Sequence, residues 1–393
     1  MDTIKRYFLY RIENFAPAWF GMVMGLGISG SILINYPFPS FWLRGIGIAF
    51  WGLATSLFII FFTMSVLRLI LFPRSFYRVL LHPLQSVFWG CMPMGMASCL
   101  ADTIGIFGDR AIWPCYVFWW INLAFSTACA WVLVLYGFIH HKRTSPAGLN
   151  AVILLPVVAM VVNSTTGSLL VKHLPEIWRP HMIVITLIVW GNGELLAFAF
   201  TCVYAWRLLT GNIPAREATI SCFLPVGPLG QGAYGFLVNS INLENYLGTH
   251  SYPLLTQIPI FKYIGSAVAM IMVGFALFWL FVAVAACIIY RPRVFGAGWW
   301  GLSFPMGTFA MATFEIGQAL DIEGFKVVSA IVGTSVVLVS FVLLVFTAYF
   351  SVIREDMFRG LQVEMESMFA PKVEIGAEDG KKDTCDDSIR TVV

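Results

Sequence analysis

Long apolar runs separated by short polar stretches dominate the chain. A helix needs about 20 apolar residues to cross a bilayer, and ten runs reach that scale: Phe15–Leu33, Trp42–Leu71, Pro83–Phe107, Ala111–Phe138, Leu149–Val171, Met182–Leu209, Ile220–Leu243, Phe261–Tyr290, Phe295–Gly317 and Val327–Ile353. They alternate in kind. The even-numbered runs are plainly apolar. Each odd-numbered run carries proline among small residues: Pro17 with Gly21, Gly25 and Gly27; Pro93 with Gly90 and Gly95; Pro156 with Ala159 and Gly167; Pro225 and Pro228 with Gly227, Gly230 and Gly232; Pro305 with Gly307. The pattern reads as one helical hairpin of roughly 70 residues used five times, the kind of internal repeat common in transporters.

Proline removes a backbone N–H and clashes with the preceding turn, while glycine lets another backbone or a solute come close. In hydrocarbon, irregular backbone is tolerated only beside protein or a water-filled cavity. The odd runs are therefore expected to kink at their prolines and to pack as an inner ring of small-residue helices, with the apolar runs outside against lipid. Phe304 precedes Pro305 and would be presented at such a kink, with Gly307 leaving space beside it.

Composition agrees. Of 393 residues 59% are hydrophobic and 11% charged, against roughly 25% charged in an average soluble domain, and mean hydropathy is +0.81. The fold class implied is an all-α integral membrane protein of ten transmembrane helices, five hairpins around a central pore. Eighteen Lys and Arg, from Lys5 and Arg6 to Arg354 and Arg390, fall on the side of the N-terminus, against six on the other (Arg44, Arg110, Lys172, Arg179, Lys262 and Lys326). By the positive-inside rule both termini are cytoplasmic. Residues 1–14 form a short polar cytoplasmic segment without the features of a cleavable leader, 15–353 the membrane domain, and 354–393 an acidic, polar tail expected to be disordered. Seven of the eight cysteines lie within the runs and Cys385 in the tail, places that do not favour disulfides. The net charge of +3 follows topology and gives no case for nucleic-acid binding.

The candidate chemistry is that of an anion passage. The first and ninth runs hold no Lys or Arg, so attraction would come from helix N-termini and the N–H groups freed at the kinks. Hydroxyl and amide donors would assist: Ser29, Asn163, Ser164, Thr165, Thr166, Gln231, Ser303 and Thr308. Glu194, within the sixth run, is a candidate coupling carboxylate, since ionisable residues in spans are functional candidates by default. A carboxylate hydrogen-bonded between helices is the alternative. Asp102 and Glu315 lie near run ends, where interfacial solvation accounts for them. The histidines sit in loops or at run ends, and no phosphate-binding loop motif occurs. No cofactor, metal site or catalytic constellation is expected, so the chain does not read as an enzyme.

The residues resemble those of the tellurite-resistance/dicarboxylate transporter family, which includes slow anion channels and malate permeases. The stretches Met22-Val23-Met24-Gly25-Leu26-Gly27-Ile28-Ser29, Tyr36-Pro37-Phe38-Pro39, Met92-Pro93-Met94-Gly95 and Gly227-Pro228-Leu229-Gly230-Gln231-Gly232 carry the likeness, nearest to the family's fungal sulfite-efflux branch. The resemblance implies five hairpins around a pore, a homotrimer with one pore per subunit, and a pore-plugging phenylalanine for which Phe304 is the match. It implies efflux of sulfite or bisulfite across the plasma membrane. A malate or other C4-dicarboxylate carrier is the alternative, although such a substrate favours cations at both ends of its site and the odd runs hold none.

Overall fold

Two lengths of helix account for most of the chain. The computed structural model describes residues 2–140, 149–211, 213–214, 216–249, 259–292 and 295–353. The tail from 354 on lies outside the described residues, as do His141, Lys142, Arg143, His250 and Arg293. The helices are α1 (Asp2–Glu13), α2 (Phe20–Ile34), α3 (Phe41–Leu71), α4 (Pro73–Leu81), α5 (Cys91–Phe107), α6 (Ile112–Thr127), α7 (Val134–His140), α8 (Leu155–Val171), α9 (Arg179–Gly211), α10 (Val226–Thr249), α11 (Ile260–Tyr290), α12 (Ser303–Leu320) and α13 (Glu323–Ala348). A π-helical segment, Ala128–Leu133, joins α6 to α7. Among the described residues there is no strand.

Helices α2, α5, α8 and α12 have 15, 17, 17 and 18 residues, whereas α3, α9, α11 and α13 have 31, 33, 31 and 26. The short helices are interior and the long ones peripheral. The best membrane-length window of Pro17–Ile34 is 78% buried and that of Ala151–Val171 83%, against 22% for Phe41–Leu71 and 33% for Ile260–Tyr290. Seven stretches among the described residues are long and apolar enough to cross a membrane. One of them, Ser86–His140, runs through two of the expected spans. α10 and α12 are not among the seven: mean hydropathy is diluted by Gly, Asn, Gln and Glu in α10 and by Gly, Thr and Glu in α12.

The tertiary contacts close a ring. α2 packs on α5, α5 on α8, α8 on α10, α10 on α12, and α12 returns to α2. Each long helix straddles one seam of this ring: α3 touches α2 and α5, α9 touches α8 and α10, α11 touches α10 and α12, and α13 touches α12 and α2. α6 does the same for α5 and α8. Glycine at every seam allows the backbones to approach. A Cβ on Gly230 would lie 2.7 Å from the Phe309 nitrogen, and one on Gly27 would lie 2.7 Å from the Ser98 Cβ. Gly235 faces Thr165, Gly90 faces the Leu155 carbonyl and Gly307 faces Ile28 in the same way.

The prolines do something other than kink helices at mid-depth. Each ring helix follows a 3₁₀ segment: Pro17–Trp19, Ser86–Gly90, Ala151–Leu154, Arg216–Phe223 and Ala297–Gly301. Pro17 opens the first of these, and Pro225 lies in the turn before α10. Pro156 is the second residue of α8, and Pro93, Pro228 and Pro305 are the third residues of α5, α10 and α12. In a first turn the missing N–H is one of four that have no intrahelical acceptor, so proline starts the helix without strain. Gly25, Gly95, Gly230 and Gly307 likewise do not kink their helices. Gly25 is the floor on which Trp300 and Ser303 pack, and Gly95 meets Val23 at 3.3 Å.

Two amphipathic pieces outside the apolar runs complete the fold. α1 leans on α3, and its Arg11 donates to the Ser351 carbonyl at 3.1 Å, tying the beginning of the domain to its end. Buried Arg68 at the end of α3 donates to the Phe15 carbonyl and, at 2.9 Å, to Ser75 Oγ of α4.

Candidate functional site

The ring encloses two cavities. The lower one, about 490 Å³, lies at the starts of the ring helices and is lined by all five 3₁₀ segments and the first turns that follow them. The upper one, about 240 Å³, lies toward their ends. Phe304 is the one residue that lines both. It is 4% exposed and is the second residue of α12, held where the 3₁₀ turn Ala297–Gly301 passes into the α-helix. Pro305 presets that turn and also lines the lower cavity. It is the only one of the ten proline and glycine candidates to line either cavity.

Among the described residues no charged side chain lines the lower cavity. Its polar side chains are Asn150 and Ser221, and the starts of five helices converge there, each positive dipole end equivalent to roughly half a charge. Such ends bind anions without a cation to trap them. The upper cavity is built differently. Ser31, Ser98, Thr165, Thr166, Ser168, Gln231, Tyr234 and Asn242 line its wall, with Asn35, Lys172, Asn245 and Glu315 toward its mouth.

Of the eight donor candidates, Thr165, Thr166 and Gln231 reach this cavity. The other five face neighbouring helices or their own turns, and Asn163 keeps its amide nitrogen buried without a partner. Ser29 donates to the Gly25 carbonyl at 2.8 Å and approaches Ser340 of α13. Asn163 accepts from Asn122 of α6 at 2.8 Å. Ser164 donates to the Thr186 carbonyl of α9 at 2.8 Å. Ser303 bonds the Trp300 carbonyl at 2.9 Å, and Thr308 bonds those of Pro305 and Gly227 at 2.8 and 3.3 Å. A ring helix is buried on every side, so its polar residues have three or more destinations and only one of them is the lumen.

The carboxylates also change places. Glu194 lines neither cavity: its carboxyl packs against Gly232 of α10, one oxygen buried without a partner. It thus sits between α9 and α10, with the lumen on the far side of α10, and the hydrogen bond of the between-helix alternative is not among those of the described residues. Asp102 is not solvated at an interface. It is 1% exposed, accepts a hydrogen bond from Ser31 and faces Gly30. Glu315 lines the upper cavity directly, and so does Lys172, which follows the last residue of α8. Sequence spacing gave both to run ends, and only the way α8 and α12 converge puts them on one cavity wall.

Residues 14–348 match the family described as voltage-dependent anion channel, SLAC1. The chain belongs to that family. It is 32% identical over 354 residues to the sulfite efflux pump SSU1 of Arthroderma otae, covering 88% of this chain and 92% of that protein. The SSU1 of Trichophyton rubrum is 30% identical over 352 residues with the same coverage. A putative malic acid transport protein of Schizosaccharomyces pombe is 22% identical over 398 residues, 97% of this chain and 90% of that one. This SLAC1-family chain is accordingly a multi-pass membrane protein that transports an anion, and its relatives are transporters and channels, not enzymes.

Proposed function

We propose that this SLAC1-family protein exports sulfite from the cell across the plasma membrane, through a passage running from the lower cavity past Phe304 to the upper one. The carrying observation is that a single buried ring, that of Phe304, is shared by two cavities otherwise enclosed by the same five helices. An aromatic plug closes a narrow passage by sterics and by making it too apolar to stay wet. The five converging helix starts supply weak, non-trapping attraction for an anion on one side of that plug.

In this reading all ten long-axis helices (α2, α3, α5, α6 with α7, and α8 to α13) cross the bilayer, and both termini are cytoplasmic. The lower cavity then opens to the cytoplasm, because each ring helix runs outward. Assembly is a homotrimer with one passage per subunit, as the family resemblance implies. Sulfite is favoured as cargo because the SSU1 relatives cover nearly the whole chain at about a third identity. A dicarboxylate is disfavoured because Lys172 is the only cation among the described residues that line either cavity, and two carboxylates call for two. The test is flux in liposomes containing the purified protein, with sulfite run against malate, nitrate and chloride. Sulfite carried well above malate is the expected result, and malate carried in its place would end the sulfite assignment.

A further inference from the structure

The hydroxyls of the upper cavity have already given their protons away. Ser98 Oγ donates to the Met94 carbonyl at 3.0 Å and Ser168 Oγ to that of Ser164 at 3.2 Å. Thr165 Oγ1 lies 3.1 Å from the carbonyls of both Val161 and Gln231. Thr166 Oγ1 does the same with Val162 and Ala97, at 3.1 and 3.3 Å. Ser31 donates to Asp102. A hydroxyl has one proton and two lone pairs, so these five side chains offer the lumen lone pairs rather than protons. Gln231, only 6% exposed, keeps its amide oxygen buried without a partner. Glu315 adds a carboxylate that accepts no hydrogen bond among the described residues. Among the described residues the lining donors that make no hydrogen bond are the Lys172 ammonium, the Tyr234 hydroxyl and, at the amides, Gln231 and Asn245.

A wall so rich in acceptors is a poor host for an anion that can only accept. It suits an anion that brings its own proton. We infer that the upper cavity selects the singly protonated oxyanion, hydrogen sulfite, over the sulfite dianion and over halide or nitrate. Glu315 accepts the hydrogen bond of the cargo's acidic proton, and Lys172 supports the cargo's negative charge. The inference rests on the sulfite reading and specifies which protonation state moves. The charged and titratable groups around Glu315 come from every neighbouring element. α8 brings Lys172, which acts on it through space, and α10 brings Tyr234. α5 brings Asp102, held by Ser31 of α2. α13 brings Lys326, engaged with Asp321 at 2.9 Å and Glu323 at 3.1 Å. At the same end of the bundle, α11 begins with Lys262 and Tyr263, beside Glu244 of α10, which accepts from the Phe261 N–H at 2.7 Å.

The experiment is sulfite flux at fixed total concentration from liposomes holding the full chain, at a pH below and a pH above neutrality, with protein-free liposomes subtracted and nitrate as the reference anion. Sulfite and hydrogen sulfite interconvert near neutral pH, so wild-type flux relative to nitrate is expected to fall as pH rises. Glu315→Gln removes the charge that repels the dianion and weakens the acceptor. In a variant that elutes as wild type, the sulfite-to-nitrate ratio below neutrality should drop at least about tenfold, since sites built to bond a substrate O–H discriminate strongly, and the pH dependence should flatten. Lys172→Gln should lower both anions together and leave the ratio unchanged. Wild-type flux that is level or rises with pH overturns the inference even if Glu315→Gln does not assemble, and so does an assembled Glu315→Gln protein with an unchanged ratio. Those outcomes leave sulfite as cargo, whereas a protein that carries malate and no sulfite at either pH removes the cargo assignment and the inference together.

Discussion

The two cavities use the same five helices to opposite ends. At the helix starts, 3₁₀ turns and first-turn prolines bring the positive dipole ends toward the lumen, and among the described residues no charged side chain lines it. At the helix ends the backbone presents carbonyls, the dipoles are negative, and the wall is made of side chains, among them Lys172 and Glu315. Attraction by helix dipoles is indiscriminate, because it acts on any anion of suitable size. Side-chain acceptors discriminate, because they reward a proton on the cargo. In the proposed reading the lower cavity gathers anions and the upper one sorts them, with Phe304 between.

Removing the boundary has the largest effect. Phe304→Ala should join the cavities and raise passive anion conductance by about tenfold or more, while Phe309→Ala, buried but lining neither cavity, should not. If Phe304 only packs, the substitution will cost roughly 3–5 kcal/mol of stability with no leak. Conductance and thermal unfolding on one preparation separate the two.

A charge added to each cavity sharpens the contrast. Ser221 lines the lower cavity, where Ser221→Asp places a carboxylate among the converging helix starts. Anion flux should fall several-fold there. Asn245→Asp lies at the exposed upper mouth and should act less, with an effect that fades as ionic strength rises. Equal losses at both positions would remove the electrostatic distinction between the cavities.

Smaller differences are expected within one helix. Thr166→Val keeps the shape but removes a lumen lone pair, so ion selectivity should shift with little loss of stability. Asn163→Ala removes one of the two acceptors of the Asn122 amide, the Pro93 carbonyl being the other, so stability should fall by about 1 kcal/mol with selectivity retained; selectivity ratios and melting curves read both. Glu194→Gln should have the smallest effect on transport, leaving the pH profile of flux unchanged, because the carboxyl lies outside both cavities. A shifted profile would restore Glu194 as a coupling group.

Much of this was legible in the chain. The alternation of Pro- and Gly-bearing runs with plain apolar ones separates ring from periphery, because an interior helix needs small residues at its seams and a lipid-facing one does not. The position of Phe304 beside Pro305 was legible too, since proline marks where α12 begins. What the prolines do was not. The same residue kinks a helix from within or starts it from the end, and only the preceding 3₁₀ turns distinguish the two. Nor could the pattern say where Ser29, Asn163, Ser164, Ser303 and Thr308 point. A ring helix has no polar face to read, because neighbours, peripheral helix and lumen each take a share of its surface. Lys172 and Glu315 are 143 positions apart, in segments the sequence assigned to two separate ends. Tertiary packing alone brings those ends to one cavity, because the seams that close the ring are set by contacts between backbones far apart in the chain.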